Sequence, residues 1–134
     1  MINGLQRERF NRLTLDFDGS VLSTKRHAQG SAVGFNKARK GARSYYPLFC
    51  TIARTGQFFD MHHRPGNVHD SNGAADFMHR WFKNIKTQIP GTIIESRMDS
   101  AFFNKTIIFL MAGSHVKFTA SVPFAKFAVL KKMI

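Results

Sequence analysis

The chain has 134 residues and a formal net charge of +12, because 20 Lys and Arg stand against 8 Asp and Glu. Its length allows one domain at most, or a piece of a larger one, and its 43% of hydrophobic residues argue against an intrinsically disordered chain. The excess of cations favours a polyanionic partner, either nucleic acid or an anionic membrane surface. The alternative is that the charge only keeps the protein soluble.

The sequence indicates neither a membrane nor an oxidising compartment. The first residues contain no apolar stretch of the secretory kind, and the longest apolar run, residues 107–112, is too short to span a bilayer. We therefore expect a cytoplasmic protein with no membrane partner. The single cysteine, Cys50, excludes an internal disulfide and is predicted to be a buried, inert thiol.

The first predicted strand carries two acids on one face. Residues 1–12 are polar and basic and are interpreted as the end of an upstream linker, and the strand follows them. Its side chains alternate between apolar and polar, which is the period of a half-buried strand. The apolar set is Leu13, Leu15 and Phe17, and the polar set is Thr14, Asp16 and Asp18.

Residues 25–44 form a basic segment that is punctuated by glycines and is predicted to be a loop. It contains six cations and no acid. The cations are Lys25, Arg26, Lys37, Arg39, Lys40 and Arg43. We predict that they contact the backbone of a nucleic acid; a solvated loop of no special purpose is equally compatible with the composition.

A hairpin and an amphipathic helix are predicted next. Residues 45–53 and 58–63 are strand-like and are separated by a turn. Apolar residues then recur every three or four positions to about Gln88, which indicates a helix with one buried face. Asp70 or Ser71 is expected to cap its start. The opposite face of this helix is basic and carries Arg80, Lys83 and Lys86.

The last predicted elements bring another acid to a strand end. Residues 92–98 are interpreted as a strand that leads into Asp99. Asn104 is expected to cap a short helix, with Gly113 ending it in the left-handed conformation. Residues 115–122 form the final predicted strand.

The order along the chain is therefore strand, strand, strand, helix, strand, short helix and strand. A meander followed by alternating helices and strands predicts an α/β fold, with helices packed on a mixed sheet. This is the order of a ribonuclease H-like core, in which the first and fourth strands lie side by side and both end at the active site.

Four motifs, in order along the chain, carry a resemblance to a known family. They are residues 15–20 (LDFDGS), the run from 34–36 (GFN) to 44–48 (SYYPL), residues 64–69 (RPGNVH) with 72–74 (NGA), and residues 97–103 (RMDSAFF). The chain resembles the catalytic domain of bacterial insertion-sequence transposases of the DDE type. The resemblance implies a catalytic domain over residues 13–124 and a basic tail over 125–134. It also implies a bacterial protein associated with the nucleoid when bound to DNA.

The resemblance implies a phosphoryl-transfer site in which carboxylates hold a pair of Mg²⁺ or Mn²⁺ ions. Asp18 would be the first catalytic acid and Asp99 the second, and both would bind metal. Asp16 shares the face of Asp18 and is the alternative first acid and a further candidate ligand; otherwise it is a surface acid paired with Arg or Lys. Arg64 and Arg97, which lie in the motifs, join the predicted DNA contacts.

The chain departs from the family pattern at the third acid, a glutamate on a helix after the fifth strand. Glu8 and Glu95 do not lie there, and Glu95 shares a strand face with Arg97 and could pair with it. We therefore expect a truncated transposase, incomplete at the carboxyl end of its fold and inactive alone. Its expected partners are the double-stranded DNA of transposon ends and either a full-length transposase or a second copy. The alternative function is a non-catalytic, basic DNA-binding module.

A histidine metal site is the remaining alternative. His62, His63 and His69 lie near Asp60 and Asp70 in the sequence. Adjacent histidines on a strand point to opposite faces, so they are poor ligands for one ion. The sequence also lacks the ligand spacing of known zinc sites.

Overall fold

The computed structural model describes residues 11–24, 28–34, 36, 40–69, 73–122, 128 and 131–132. The strands are β1 (Arg12–Gly19), β2 (Leu22–Ser23), β3 (Ala32–Val33), β4 (Arg43–Tyr45), β5 (Leu48–Ile52), β6 (Phe58–His62), β7 (Ile93–Met98) and β8 (Lys117–Ala120). The helices are α1 (Ala74–Gln88) and α2 (Lys105–Gly113), and a 3-10 turn spans Ser100–Phe102. None of the described helices is both long enough and apolar enough to cross a membrane.

Five strands form one mixed sheet in the order β6-β5-β1-β7-β8. β1 pairs antiparallel with β5, and β5 pairs antiparallel with β6, as expected for the predicted meander. β7, the fourth of the predicted strands, pairs parallel with β1, and β8 pairs parallel with β7. The predicted mixed sheet is confirmed, and so is the position of the first predicted strand beside the fourth.

The core lies on the face of this sheet that α1 covers. Alternation along β1 buries Leu13, Leu15 and Phe17. The ring of Phe17 meets two rings of α1, Phe77 and Phe82, in edge-to-face contacts with centroid distances of 6.1 Å. Burial of apolar side chains of this kind is the dominant favourable contribution to folding, and edge-to-face ring contacts add to it. The predicted amphipathic helix and its apolar stripe are confirmed.

Cys50 occupies the middle of β5, between Phe17 of β1 and Asp60 of β6. Its side chain is fully buried. Desolvation by burial, followed by the charges of Asp60 and Asp16, raises the pKa of the thiol. The thiol therefore stays protonated and is a poor nucleophile, so the predicted buried and inert cysteine is confirmed.

A second sheet, of three short strands in the order β2-β4-β3, corrects the prediction of a loop over residues 25–44. β3 and the first residues of β4 lie within that segment, and β4 pairs antiparallel with both β2 and β3. Strands of two or three residues are too short to show an alternating pattern, which is why the glycines and cations dominated the prediction.

Two glycines let the loop after β6 cross this second sheet. The N–H of Gly66 donates to the carbonyl of Ser44 at 2.9 Å, and a Cβ at Gly66 would lie 2.6 Å from that oxygen. A Cβ at Gly34 would lie 2.1 Å from the carbonyl oxygen of Gly66. The backbones therefore approach more closely than any residue with a side chain allows, and this contact joins the second and third sequence motifs.

Two predicted strands differ from those observed. The strand predicted over residues 45–53 is divided at Pro47, which has no N–H to donate to a neighbouring strand. The strand predicted over residues 115–122 is shorter, because His115 has a positive φ of 53° before β8 begins.

The helix caps are partly as predicted. Asn104 Oδ1 accepts the N–H of Ile107 at 3.0 Å and caps α2. Gly113 is not in the left-handed conformation, so that prediction is wrong. Gly73, with a φ of 70°, is the residue before α1, and the predicted caps at residues 70–71 lie outside the described residues.

His62 closes the end of β6 against α1. Its ring stacks on Phe77 with a centroid distance of 5.9 Å, and an added Cβ at Gly73 would lie 3.0 Å from its Nε2. Desolvation by burial lowers the pKa of His62, and the cations Arg64 and Arg80 lower it further. The neutral imidazole is therefore the form that the folded protein favours.

We expect Gly66→Ala to lower the free energy of unfolding by about 1–3 kcal/mol, because the added methyl group would overlap the backbone of β4. Gly113→Ala is the matched control, since no atom lies within 4 Å of its added Cβ. The control is expected to keep or slightly raise the stability. Urea unfolding followed by circular dichroism measures both variants, and equal midpoints would contradict the backbone crossing.

We expect the free energy of unfolding to fall as the pH drops below 6.5, because unfolded His62 takes up a proton before folded His62 does. The loss begins at the unfolded pKa and ends at the lower folded pKa, so this contribution is complete above pH 6.5. Denaturant titrations on both sides of this pH should show a smaller pH effect in His62→Gln than in the wild type. His79→Gln, at an exposed position of α1, is the control, and an equal pH effect in the two variants would contradict the prediction.

Candidate active site

The carboxyl ends of β1 and β7 bring Asp18 and Asp99 side by side. Phe17 is paired with Met98 in the parallel ladder, so Asp18 and Asp99 are the next residues in each segment. Neighbouring strands lie ~4.8 Å apart, and alternation directs both acids to the face opposite the buried Phe17 and Met98. The structure therefore brings together the two acids that the sequence analysis assigned as catalytic.

Asp99 is held in place by the turn that follows it. Its backbone is extended (φ −82°, ψ −177°), and its Oδ1 accepts the N–H of Ala101 at 2.8 Å. Asp99 is thus the cap of the 3-10 turn. Because a carboxylate has about four lone-pair sites, this bond orients the side chain and leaves acceptor capacity for a cation. Asp18 is exposed and lies opposite Phe49 of β5.

Asp16 forms a doubly hydrogen-bonded ion pair with its register partner Arg97. Arg97 Nε donates to Oδ1 at 2.6 Å and Nη2 donates to Oδ2 at 2.7 Å. The hydrogen bond to Asp16, followed by the charge of Asp16, raises the pKa of Arg97. Because both oxygens of Asp16 are used by the guanidinium, the geometry favours the paired surface acid over the metal ligand. The metal-binding role of Asp16 stays a prediction without support from these contacts.

Glu95 pairs with a different cation from the one considered in the sequence analysis. Its Oε2 lies 3.5 Å from Arg12 Nε, whereas Arg97 is engaged by Asp16. The register explains the difference, because Glu95 lies beside Thr14 and Arg97 lies beside Asp16. Alternation in the sequence shows which residues share a face but not which cation meets which acid.

The cations of residues 25–44 that were predicted to contact DNA differ in how exposed they are. Lys40 is exposed, and four of the other cations lie outside the described residues. Those four are Lys25, Arg26, Lys37 and Arg39. Arg43 is half-buried, and its Nε donates to Ser31 Oγ at 3.0 Å while Nη2 donates to the carbonyl of Ser31.

Arg64 is a buried structural residue in the loop after β6. Only 3% of its surface is exposed. Its Nε donates to the carbonyl of Tyr46 at 2.9 Å, its Nη1 donates to the carbonyl of His69 at 3.3 Å, and its guanidinium lies 5.2 Å from the ring centre of Tyr46. The prediction that Arg64 contacts DNA is at odds with this burial. Nothing in the sequence distinguishes an arginine that binds carbonyls from one that binds phosphates.

The donor set at this strand edge fits a divalent cation with few protein ligands. Asp18 and Asp99 offer carboxylate oxygens, and Mg²⁺ is typically held by one or two carboxylates together with water and substrate phosphates. Within the described ranges, no group of three or more His, Cys, Asp and Glu residues comes together. The described histidines therefore form no metal cluster of that size, and the described carboxylates supply only part of a two-metal site.

Sequence comparison gives one family. The model of the family described as Transposase DDE domain group 1 matches residues 4–134. No curated protein matches the chain. Transposase DDE domains generally use a divalent metal, which agrees with the carboxylate donor set.

Solved structures give the same fold at low sequence identity. The piggyBac transposase synaptic complex with hairpin DNA has a TM-score of 0.57 and 15% identity, over 88% of this chain and 25% of that chain. The Mos1 transposase paired-end complex with left transposon end has a TM-score of 0.57 and 8% identity, and the match covers 98% of this chain and 49% of that chain. The intasome of simian T-cell lymphotropic virus has a TM-score of 0.55 and 10% identity, and the match covers 92% of this chain and 40% of that chain.

These similarities establish the ribonuclease H-like fold that the sequence analysis predicted. Identities of 15% or less show the fold alone. The chain spans between 25% and 49% of the length of the three solved chains.

We expect Asp16→Asn and Arg97→Gln each to lower the urea midpoint slightly, because the exposed pair is screened by water. The double variant should be about as stable as the less stable of the two single variants, since each substitution removes the same contact. The difference in urea midpoint between the wild type and each variant should shrink as the salt concentration is raised. Arg12→Gln and Glu95→Gln form the matched cycle at an ion pair with a longer N–O distance of 3.5 Å, where weaker coupling is expected. Strict additivity in the Asp16–Arg97 cycle would contradict the bonded pair.

Proposed function

Since the chain belongs to the group 1 family of transposase DDE domains, we propose that it supplies catalytic carboxylates for DNA transposition. The observation that supports this proposal is the juxtaposition of Asp18 and Asp99 at the ends of two parallel strands. In this chemistry a hydroxyl group, from water or from a DNA 3′ end, attacks a phosphodiester in line and displaces the opposite oxygen. Catalysis then depends on stabilising charge at the phosphorus and at the two exchanging oxygens.

We assign Asp18 and Asp99 as the protein ligands of Mg²⁺ or Mn²⁺. When bound, such a cation polarises a phosphoryl oxygen and lowers the pKa of a coordinated water. Asp99 needs little rearrangement to bind it, because the N–H of Ala101 already orients the carboxylate. Arg97, two residues before Asp99, donates from Nε and Nη2 to Asp16, so this edge of the guanidinium is already occupied.

The proposed DNA partner is the double-stranded end of a transposon. The net charge of +12 supports a polyanionic partner, and two of the similar solved structures are transposases described with hairpin DNA and with a left transposon end. Lys40 and Arg97 are the exposed residues among the described members of the predicted DNA contacts, and Arg97 is already paired with Asp16. Lys25, Arg26, Lys37 and Arg39 lie outside the described residues and belong to this proposal as predicted DNA contacts.

We propose that the chain is inactive alone and that a third carboxylate must complete the site. Within the described residues, Asp18 and Asp99 are not joined by a third acid or by a histidine or cysteine cluster. A full-length transposase or a second copy could contribute it. The division into a linker (1–12), a catalytic domain (13–124) and a tail (125–134), and a place in the bacterial cytoplasm at the nucleoid, belong to this proposal.

The second candidate is a basic DNA-binding module without chemistry. It is favoured by the same charge and by the two-carboxylate site, because a protein that only occupies DNA needs no metal. The two candidates therefore differ in metal binding and agree in DNA binding.

We expect the 134-residue chain to bind Mn²⁺, and Asp18→Asn or Asp99→Asn to weaken that binding by at least about tenfold, since each removes a charged oxygen donor. Asp16→Asn is the matched control, because it removes an acid from the same strand face that is already engaged by Arg97. Isothermal titration calorimetry measures all four proteins. Undiminished binding by Asp18→Asn would contradict the assignment, and equal loss in Asp16→Asn would make Asp16 a ligand.

Binding to a fluorescent double-stranded oligonucleotide separates the two candidate functions. Asp18→Asn and Asp99→Asn should bind DNA as tightly as the wild type or more tightly, because each removes a negative charge. DNA binding together with Mn²⁺ binding supports the catalytic proposal. DNA binding without any Mn²⁺ binding would favour the non-catalytic module.

A further inference from the structure

The outer surface of α1 carries a basic stripe that the carboxylate site does not use. We call it the basic helix face, and it consists of Arg80, Lys83 and Lys86. All three residues are exposed on α1, whose opposite face buries Phe77 and Phe82 in the core. The stripe therefore points away from the sheet.

Its charge is only partly neutralised. Arg80 lies 3.9 Å from Asp60, an ion pair at the edge of the stripe, and Asp60 also accepts a hydrogen bond from Trp81 Nε1 at 2.7 Å. In the part of the chain that the structure describes, no acidic side chain lies within ion-pair distance of Lys83 or Lys86. The acid of the first turn, Asp76, lies one turn before Arg80 but about 10 Å along the helix axis from Lys83 and farther from Lys86.

The spacing of the cations suits a nucleic-acid backbone. Arg80 and Lys86 are six residues apart, which is about 9 Å along a helix axis. One strand of duplex DNA carries a phosphate about every 3.4 Å of its axis, so this length faces two or three phosphates. Lysines and arginines on one helix face form the electrostatic footprint of a protein that contacts nucleic acid.

The stripe and the carboxylates lie on opposite sides of the sheet. α1 packs on the face that contains Phe17, whereas Asp16 and Asp18 belong to the other face of β1. Phosphates that contact Lys83 and Lys86 are therefore distant from the bond that Asp18 and Asp99 would act on.

We propose that the basic helix face is a second contact surface for double-stranded DNA, which binds phosphates away from the carboxylate site. This inference rests on the proposed function, because it takes DNA as the polyanion. A stretch of duplex that continues past the carboxylates, or a second duplex, would lie against α1. Such contacts carry no sequence information and contribute to affinity and orientation.

The test compares two double variants of the 134-residue chain. Lys83→Gln with Lys86→Gln removes the two lysines of the stripe, and Lys131→Gln with Lys132→Gln is the control with the same loss of charge. DNA binding is measured by fluorescence anisotropy at several salt concentrations, and circular dichroism establishes that both variants keep their helix content. We expect the slope of log K against log salt to decrease by about 1.8 in the Lys83/Lys86 variant, since each phosphate contact contributes about 0.9.

The salt slopes of the two double variants and the wild type decide between a local contact and a general effect of charge. A smaller decrease in the control than in the Lys83/Lys86 variant supports a local contact, whereas equal decreases in both would show a general charge effect and overturn the inference. Tight binding of all three proteins with the same slope would overturn the inference and leave the proposed function intact. A wild-type chain that binds no DNA would overturn both. Preferential binding of the wild type to phosphatidylserine vesicles, lost in the Lys83/Lys86 variant, would replace DNA with a membrane surface.

Discussion

The parallel pairing of β1 with β7 is the constraint on which the candidate site depends. The register is set by burial, because Leu13, Leu15 and Phe17 of β1 face the core that α1 covers. A slip of one residue would turn every side chain to the other face and move Asp18 into that core. The position of the carboxylates is therefore decided by hydrophobic packing on the opposite side of the sheet. Asp99 follows from the same pairing, since it comes directly after the partner of Phe17.

Ion pairs on the polar face divide its acids into two kinds. Glu95 and Asp16 are each joined to an arginine on the neighbouring strand. These pairs stabilise the polar face only modestly, because water screens them, but they give each acid a fixed partner. Asp99 is instead oriented by a main-chain N–H, which carries no net charge. A cation that approaches the strand ends therefore meets an acid that is positioned without being neutralised by that contact.

Sequence reasoning recovered the elements that are long and periodic. β1, β5 and α1 show alternation or helical spacing over enough residues to be recognised, α2 was predicted from its cap Asn104, and the two acids follow from where β1 and β7 end. The second sheet was missed because its strands contain two or three residues. The roles of Arg43 and Arg64 were missed for another reason. Whether a guanidinium binds carbonyls or solvent depends on loops that are distant in the sequence, and no local pattern records that arrangement.

The reactivity of the buried thiol of Cys50 can report how often the central strands of the sheet open. Cys50 is the only cysteine of the chain, and it lies in β5 between β1 and β6. A thiol reagent can reach it only during excursions in which the strand parts from its neighbours or the whole domain opens. The rate of its modification under native conditions thus reports how often the strand beside Asp16 and Asp18 is exposed. Slow modification at the global unfolding frequency would mean that β5 stays paired with the strand of Asp16 and Asp18 until the whole domain opens, and rapid modification would mean that β5 opens locally.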